Sequence, residues 1–228
     1  TVDGGSGSDT GSGGAGEDDV RGGTGDDDLD GGVGNDKITG GAGKDKISDG
    51  LGNNTVTGGD GADVILIRAG VNDISGGADA DILLGGNQAD TIDGGSGNDI
   101  IRGEASNGLL AGSDRIIGGT GDDIMMAGRG SDTFVFSIDD GTDEIGEFAA
   151  ADITTDFSGP SVMTTGADFT SGLDKIELSG FTAIDADSVL DAVTDNDDGV
   201  AVFASEGTEI TFAGLAAADL SANDFVFV

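Results

Sequence analysis

Aspartate returns at every ninth position through the first part of the chain: Asp9, Asp18, Asp27, Asp36 and Asp45, then Asp63, Asp81, Asp90 and Asp99. Asn54 and Asn72 hold the two intervening places, and six residues out of step the series resumes at Asp114, Asp123 and Asp132. A carboxylate at fixed spacing, with glycines just before it, offers side-chain and backbone oxygens together to a hard cation. Other chemistry is poorly served. The 228 residues contain no His and no Cys. That removes imidazole and thiolate metal sites, the HExxH arrangement of metalloproteases, and Ser-His-Asp and Cys-His nucleophile systems. Acid pairs are so common here that no particular pair stands out as a two-carboxylate hydrolase site. The chain reads as non-enzymatic.

The residues that must position these aspartates repeat with them. Written in nines from Gly4, the chain gives GGSGSDTGS, GGAGEDDVR, GGTGDDDLD, GGVGNDKIT and so on to GGSGNDIIR. It breaks at Gly103, where GEASNGLLAGSDRII is six residues too long, and resumes as GGTGDDIMM and AGRGSDTFV. The pattern is Gly-Gly-x-Gly-x-Asp-x-U-x, with U a large apolar residue: Val20, Leu29, Ile38, Ile47, Val56, Ile65, Ile74, Leu83, Ile92, Ile101, Ile116, Met125 and Phe134. Glycines at positions one, two and four permit positive φ and a tight turn whose carbonyls can face a cation. The triplet x-U-x predicts a short strand with U inward and its flanks outward. Two nonapeptides make one turn of 18 residues, so strands pair in two parallel sheets and loops stack in two columns along opposite edges. The expected fold is all-β: a calcium-binding parallel β-roll, right-handed and β-helix-like, over residues 1–136, then a small mostly-β C-terminal cap over 137–228. A literal GxGxxG at Gly11–Gly16 lies inside the repeat, with no strand before it and no helix after it, and carries no dinucleotide reading.

Charge decides what the repeat must bind. Against 45 acidic residues stand nine Lys and Arg, a net charge of −36. This excludes ordinary nucleic-acid binding, which needs basic residues to neutralise phosphates, and argues against anionic membranes. Few aromatics with so much charge would by composition alone read as disorder; thirteen in-frame apolar positions overrule that. Yet one apolar residue in nine makes a thin core, and ordering this backbone against its own charge needs a further term. Calcium supplies it, since it accepts six to eight oxygens in flexible geometry, whereas magnesium keeps its own waters and zinc prefers His or Cys. The column beginning at Asp9 is all aspartate: Asp27, Asp45, Asp63, Asp81, Asp99 and Asp123 follow it. The other runs Asp18, Asp36, Asn54, Asn72, Asp90, Asp114, Asp132. An unbroken calcium row on one edge and a gap near Asn54 and Asn72 on the other are therefore expected. Asp79 and Gln88, where position four is not Gly, leave their loop geometry open.

The nonapeptide resembles that of the RTX (repeats-in-toxin) proteins of Gram-negative bacteria, strongly over residues 4–136 and more loosely to the end. The resemblance implies a calcium-loaded roll, export of the unfolded chain by type I secretion machinery, and folding outside the cell. After Phe136 only nine of 46 glycines remain, but eight of ten phenylalanines do. SDTFVF (131–136), ITTDF (153–157) and GLDKIELSGF (172–181) look like the cap of secreted relatives, including serralysin-like exoproteins, with a loop insertion over 158–171. A short helix over 185–193 and a β-hairpin around Gly207 are expected within it. The last residues, Asp224, Phe225, Val226, Phe227 and Val228, resemble an uncleaved type I secretion signal, and also read as a final strand. No Sec-type signal opens the chain, which is repeating by Gly4 and reads as a piece of a longer protein with an upstream domain. The one proline, Pro160, follows Gly159, so the Asp-Pro self-cleavage of some large relatives is not expected. The alternative to an exported folding module is a self-assembling, calcium-dependent surface-layer, matrix or filament protein.

Overall fold

The computed structural model describes residues 1–104, 112–146, 174–181, 188–197, 200–212 and 215–228. Successive nonapeptides feed strands alternately to two sheets. One holds Val2–Ser6, Asp19–Thr24, Lys37–Ala42, Thr55–Asp60, Asp73–Ala78, Thr91–Ser96, Arg115–Thr120, Thr133–Ser137, Lys175–Ser179 and Phe225–Phe227, all parallel. The other runs Thr10–Ala15, Asp28–Val33, Lys46–Asp49, Val64–Ile67, Ile82–Gly86, Ile100–Glu104, Ile124–Met126 and Thr142–Ile145, and ends in Thr208–Phe212, Ala201–Ser205 and Val193–Asp195. The molecule is a parallel β-roll, as the nine-residue period requires.

Partners lie 18 residues apart, as in Val20↔Ile38 and Ile47↔Ile65. This register sets every U side chain on the U of the turns above and below. Val20, Ile38, Ile47, Ile65, Ile92, Ile101, Ile116, Met125 and Phe134 are fully buried in one continuous core. The strands are longer than the expected triplet. Most run from position seven through U and on through the two glycines to position three of the next repeat, as in Thr91–Ser96. Glycine pairs with glycine there (Gly23↔Gly41, Gly77↔Gly95), because two flat glycyl backbones can approach without side chains between them. Position one, like U, faces inward.

The six extra residues are absorbed within one turn. Thr91 pairs with Arg115 and Ile100 with Ile124, offsets of 24 instead of 18, and the U column is undisturbed. At the root of this excursion the Gly112 amide donates to Glu104 Oε1 at 3.0 Å.

Past Phe136 the sheets continue before they change character. Thr142–Ile145 and Lys175–Ser179 add as parallel strands, and Arg115 forms a two-pronged ion pair with Glu177 at 2.7 Å. The hairpin expected around Gly207 is present, with Ala201–Ser205 antiparallel to Thr208–Phe212 and Gly207 at φ 83. The helix expected over 185–193 is reduced among the described residues to a 3-10 turn, Val189–Ala192, followed by the strand Val193–Asp195. Val189 is buried there but Leu190 faces solvent, since Val193 is drawn into pairing with Phe203. ITTDF at 153–157 and the 158–171 insertion lie outside the described residues. No helix among the described residues is long and apolar enough to cross a membrane.

Candidate metal centre

Each position-six residue closes the loop between one strand and the next, and its side chain turns in toward the preceding turn of the same column. Down the first column the amide of Asp9 donates to Asp27 Oδ1, Asp27 to Asp45, Asp45 to Asp63, Asp63 to Asp81, Asp81 to Asp99 and Asp99 to Asp123, all at 2.7–2.8 Å. The second column repeats this from Asp18 to Asp36, Asn54, Asn72, Asp90, Asp114 and Asp132, at 2.7–3.0 Å. Asp27, Asp36, Asp45, Asp63, Asp81, Asp90, Asp99, Asp114, Asp123 and Asp132 are buried, while Asp9 and Asp18 in the first turn are partly exposed. The twelve aspartates singled out by spacing thus stand in two ladders, one on each edge.

The second carboxylate oxygen has nothing to accept. Oδ2 of Asp9, Asp27, Asp36, Asp45, Asp63, Asp81, Asp90, Asp99, Asp123 and Asp132 is buried without a hydrogen-bond donor. Except at Asp132, whose repeat opens with Ala127, it lies over the inward glycine that opens its own repeat. A methyl group on Gly58 would sit 2.3 Å from Asp63 Oδ2 and 2.6 Å from the Gly76 carbonyl of the next turn, and Gly76 stands likewise to Asp81 Oδ2 and Gly94 O. Position one is therefore glycine for space and not for φ, which is positive only at positions two and four, as at Gly23 and Gly25. Asp79 and Gln88 take the position-four conformation without glycine, at φ 73 and 80.

The two asparagines show what these oxygens lack. Asn72 Oδ1 accepts the same ladder bond as an aspartate, so its Nδ2 stands where Oδ2 would. That nitrogen donates to Gly70 O and Gly85 O, both at 3.2 Å, and to Asp90 Oδ1 at 2.9 Å. Asn54 Nδ2 donates to Gly52 O and Asn72 Oδ1. An aspartate in that frame turns a negative oxygen toward other oxygens, and such an arrangement needs positive charge between them. Among the described residues no three acidic side chains converge, so an ion here would draw on carboxylates and backbone carbonyls together. That donor set fits calcium.

Electrostatics agree. Burial is the chief cause that pushes Asp81, Asp123 and Asp143 up to about 7, Asp90 up to about 8, and Asp63, Asp99 and Asp132 up to about 6. The ladder amide opposes it, and neighbouring carboxylates add to it. At these seven positions burial makes the bare carboxyl hold its proton more tightly than a free one does.

Two rungs escaped the spacing argument. Asp123 donates its amide to Asp143 Oδ1 and Asp132 to Asp174 Oδ1, at 3.0 and 2.9 Å, so both ladders run on past Phe136. Their local signal is the triplet Asp-x-U without its glycines: Asp143-Glu144-Ile145 and Asp174-Lys175-Ile176. At the far end Asp224 is fully buried, with Oδ2 accepting from the Ser221 amide and hydroxyl. Phe225 is buried, Val226 and Val228 face solvent, and the strand Phe225–Phe227 pairs with Ile176–Leu178.

A family model of the RTX calcium-binding nonapeptide repeat matches residues 3–38, 31–65, 39–74, 67–101, 75–110 and 109–134. The chain belongs to that family, and its ions are calcium. Its fold is similar to the extracellular lipase LipA from Serratia marcescens, with TM-score 0.44 and 18% identity over 87% of this chain. It is also similar to the AlgE6R3 subunit of the Azotobacter vinelandii mannuronan C5-epimerase, with TM-score 0.42 and 26% identity over 65% of this chain and 78% of that one. This chain spans 40% of the lipase's length. No curated protein matches its sequence.

Proposed function

We propose that this chain is a calcium-driven folding module of an exported protein: it leaves the cell unfolded by type I secretion and folds where calcium is plentiful. The observation that carries this reading is the row of buried, donorless Oδ2 atoms. They make the metal-free roll self-repelling, so folding waits for the ion. The ligands would be Asp9, Asp27, Asp45, Asp63, Asp81, Asp99 and Asp123 on one edge, and Asp18, Asp36, Asp90, Asp114 and Asp132 on the other, joined by loop carbonyls. At Asn54 and Asn72 an amide nitrogen takes the place of an ion, which supports a gap in the second row. Residues 137–228 would cap the roll and carry the export signal in Asp224–Val228. The module does no chemistry itself; any catalytic or adhesive part belongs upstream.

Extracellular calcium modules bind at roughly 10⁻⁴–10⁻³ M, far above cytosolic levels, so one chain can stay unfolded inside and fold outside. The test is a calcium titration followed by far-UV circular dichroism, with magnesium as control. A cooperative coil-to-β transition in calcium and none in magnesium is expected. A chain already fully β in chelator would overturn ion-driven folding. Large calcium-dependent polymers at the end point would instead make assembly its role.

A further inference from the structure

Asp49 is an interior carboxylate that the nonapeptide pattern does not ask for. It stands at position one of DGLGNNTVT, where most turns hold glycine, and this position faces inward. The side chain is buried; the backbone amides of Gly50 and Gly32 lie near its carboxylate, but neither oxygen accepts a hydrogen bond of ordinary geometry.

Its surroundings are shared. A methyl group on Gly31, one turn earlier in the same column, would lie 2.7 Å from Asp49 Oδ1, 2.8 Å from Ile38 Cδ1 and 3.0 Å from Asp36 Oδ2. Two buried carboxylate oxygens thus meet over one glycine, beside the aliphatic core. The repeat that carries Asp49 is also the one whose position six is Asn54, and the Asn54 amide is turned away to Gly52 O and Asn72 Oδ1. The loop without an acid at position six has one at position one. Two carboxylates this close in apolar surroundings must either share a proton or hold a counter-charge between them, and at neutral to alkaline pH the counter-charge is favoured.

We propose that Asp36 and Asp49 together hold a divalent, oxygen-preferring cation of the calcium class, displaced inward from the regular row. The second row then ends at an interior ion before the amide-bonded turns of Asn54 and Asn72 begin. Asp49 is a ligand of this site, and the glycine at Gly31 leaves room for it. The inference rests on the calcium-roll reading above.

The test is calcium stoichiometry of the whole chain by native mass spectrometry at saturating calcium, for the wild type, Asp49→Asn and Asp49→Gly. The glycine variant restores the residue that neighbouring turns carry, so it keeps the test open if the asparagine variant folds poorly. Each variant should bind one ion fewer than the wild type. Asp36→Asn should lose one ion as well, and the Asp36→Asn/Asp49→Asn double variant no more than one. Thermal melting should change sign with conditions: Asp49→Gly melts above the wild type in chelator and below it in calcium. A variant with the wild-type ion count, and melting shifted in the same direction with and without calcium, would overturn the Asp49 site. A wild type that binds no calcium would sink the calcium roll itself.

Discussion

A single oxygen-for-nitrogen exchange separates the two kinds of loop. Asp63 Oδ2 faces the inward side of Gly58 and the Gly76 carbonyl with no donor, while Asn72 Nδ2 in the equivalent place donates to Gly70 O and Gly85 O. The change Asp63→Asn should therefore stabilise the roll in chelator, by about 1–3 kcal/mol, since it relieves a buried charge and supplies a donor. In saturating calcium it should cost stability, because an ion is lost. Paired urea melts with and without calcium check this; a loss in both conditions contradicts it. Protons should act as a weak substitute for the ion. Asp81 and Asp123 at about 7 and Asp90 at about 8 are raised by burial above the unfolded carboxyl value. The metal-free fold therefore binds more protons than the unfolded chain does. The stability this contributes is fully present below about pH 4, the ordinary carboxyl value, and is lost progressively as pH rises from there through about 7 to 8. Melting in chelator should fall across that window. With calcium the trend should flatten or reverse, because the ion needs the carboxylates deprotonated.

At the scale of the loop and strand, glycine has two separate duties. Gly41 sits at φ 123, and a methyl there would lie 2.0 Å from the Gly23 carbonyl; Gly58 has ordinary φ but borders Asp63 Oδ2. Gly41→Ala should destabilise the roll by more than about 1 kcal/mol with or without calcium. Gly58→Ala should weaken chiefly the calcium response, which a calcium titration of each variant would separate. The sequence could not distinguish these duties, since both are written as glycine. What it showed well was the period: Val20 to Ile101 and Ile116 to Phe134 at nine-residue steps gave two sheets, inward U positions and both aspartate columns, because each step repeats the same local physics. Where repetition stops, legibility stops with it. Asp143 and Asp174 join the ladders without the glycines that announce the other loops. Asp49 looks like a damaged glycine position until the fold turns it inward beside Asp36. The sequence over 185–193 mimics a helical face through Val189, Leu190 and Val193, yet Val193 is taken by a strand partner, a tertiary contact no window of sequence contains.

Across the whole molecule, the two ends of the chain are not equivalent. The last strand, Phe225–Phe227, is woven onto Lys175–Ser179, which lies on Thr133–Ser137, so the C-terminal residues finish a sheet whose first strands are repeats. An export signal in these residues would be readable only before folding. Fold and signal can nevertheless be tested apart, because Asp224 and Phe225 are buried while Val226 and Val228 are exposed. Replacing Val226 and Val228 together by Ser should reduce export through a type I system while leaving the melting temperature in calcium within a degree or so, as surface changes usually do. Phe225→Ala should lower that melting temperature, with a loss of order 3 kcal/mol. Unchanged export in the double Ser variant would leave the terminal strand as structure alone.

The six extra residues that the roll absorbs have a practical meaning. Glu104 and Gly112 are already joined by a hydrogen bond, and the turns on either side keep their register across an offset of 24. The segment from 105 to 111 therefore joins two points that the roll itself holds together, and closing a longer loop between fixed ends costs little for each added residue. Glu104 and Gly112 are thus a ready-made port for a graft: an epitope, a binding peptide or a small domain spliced between them would ride on a rod that, if the proposed function holds, stiffens only when the ion arrives.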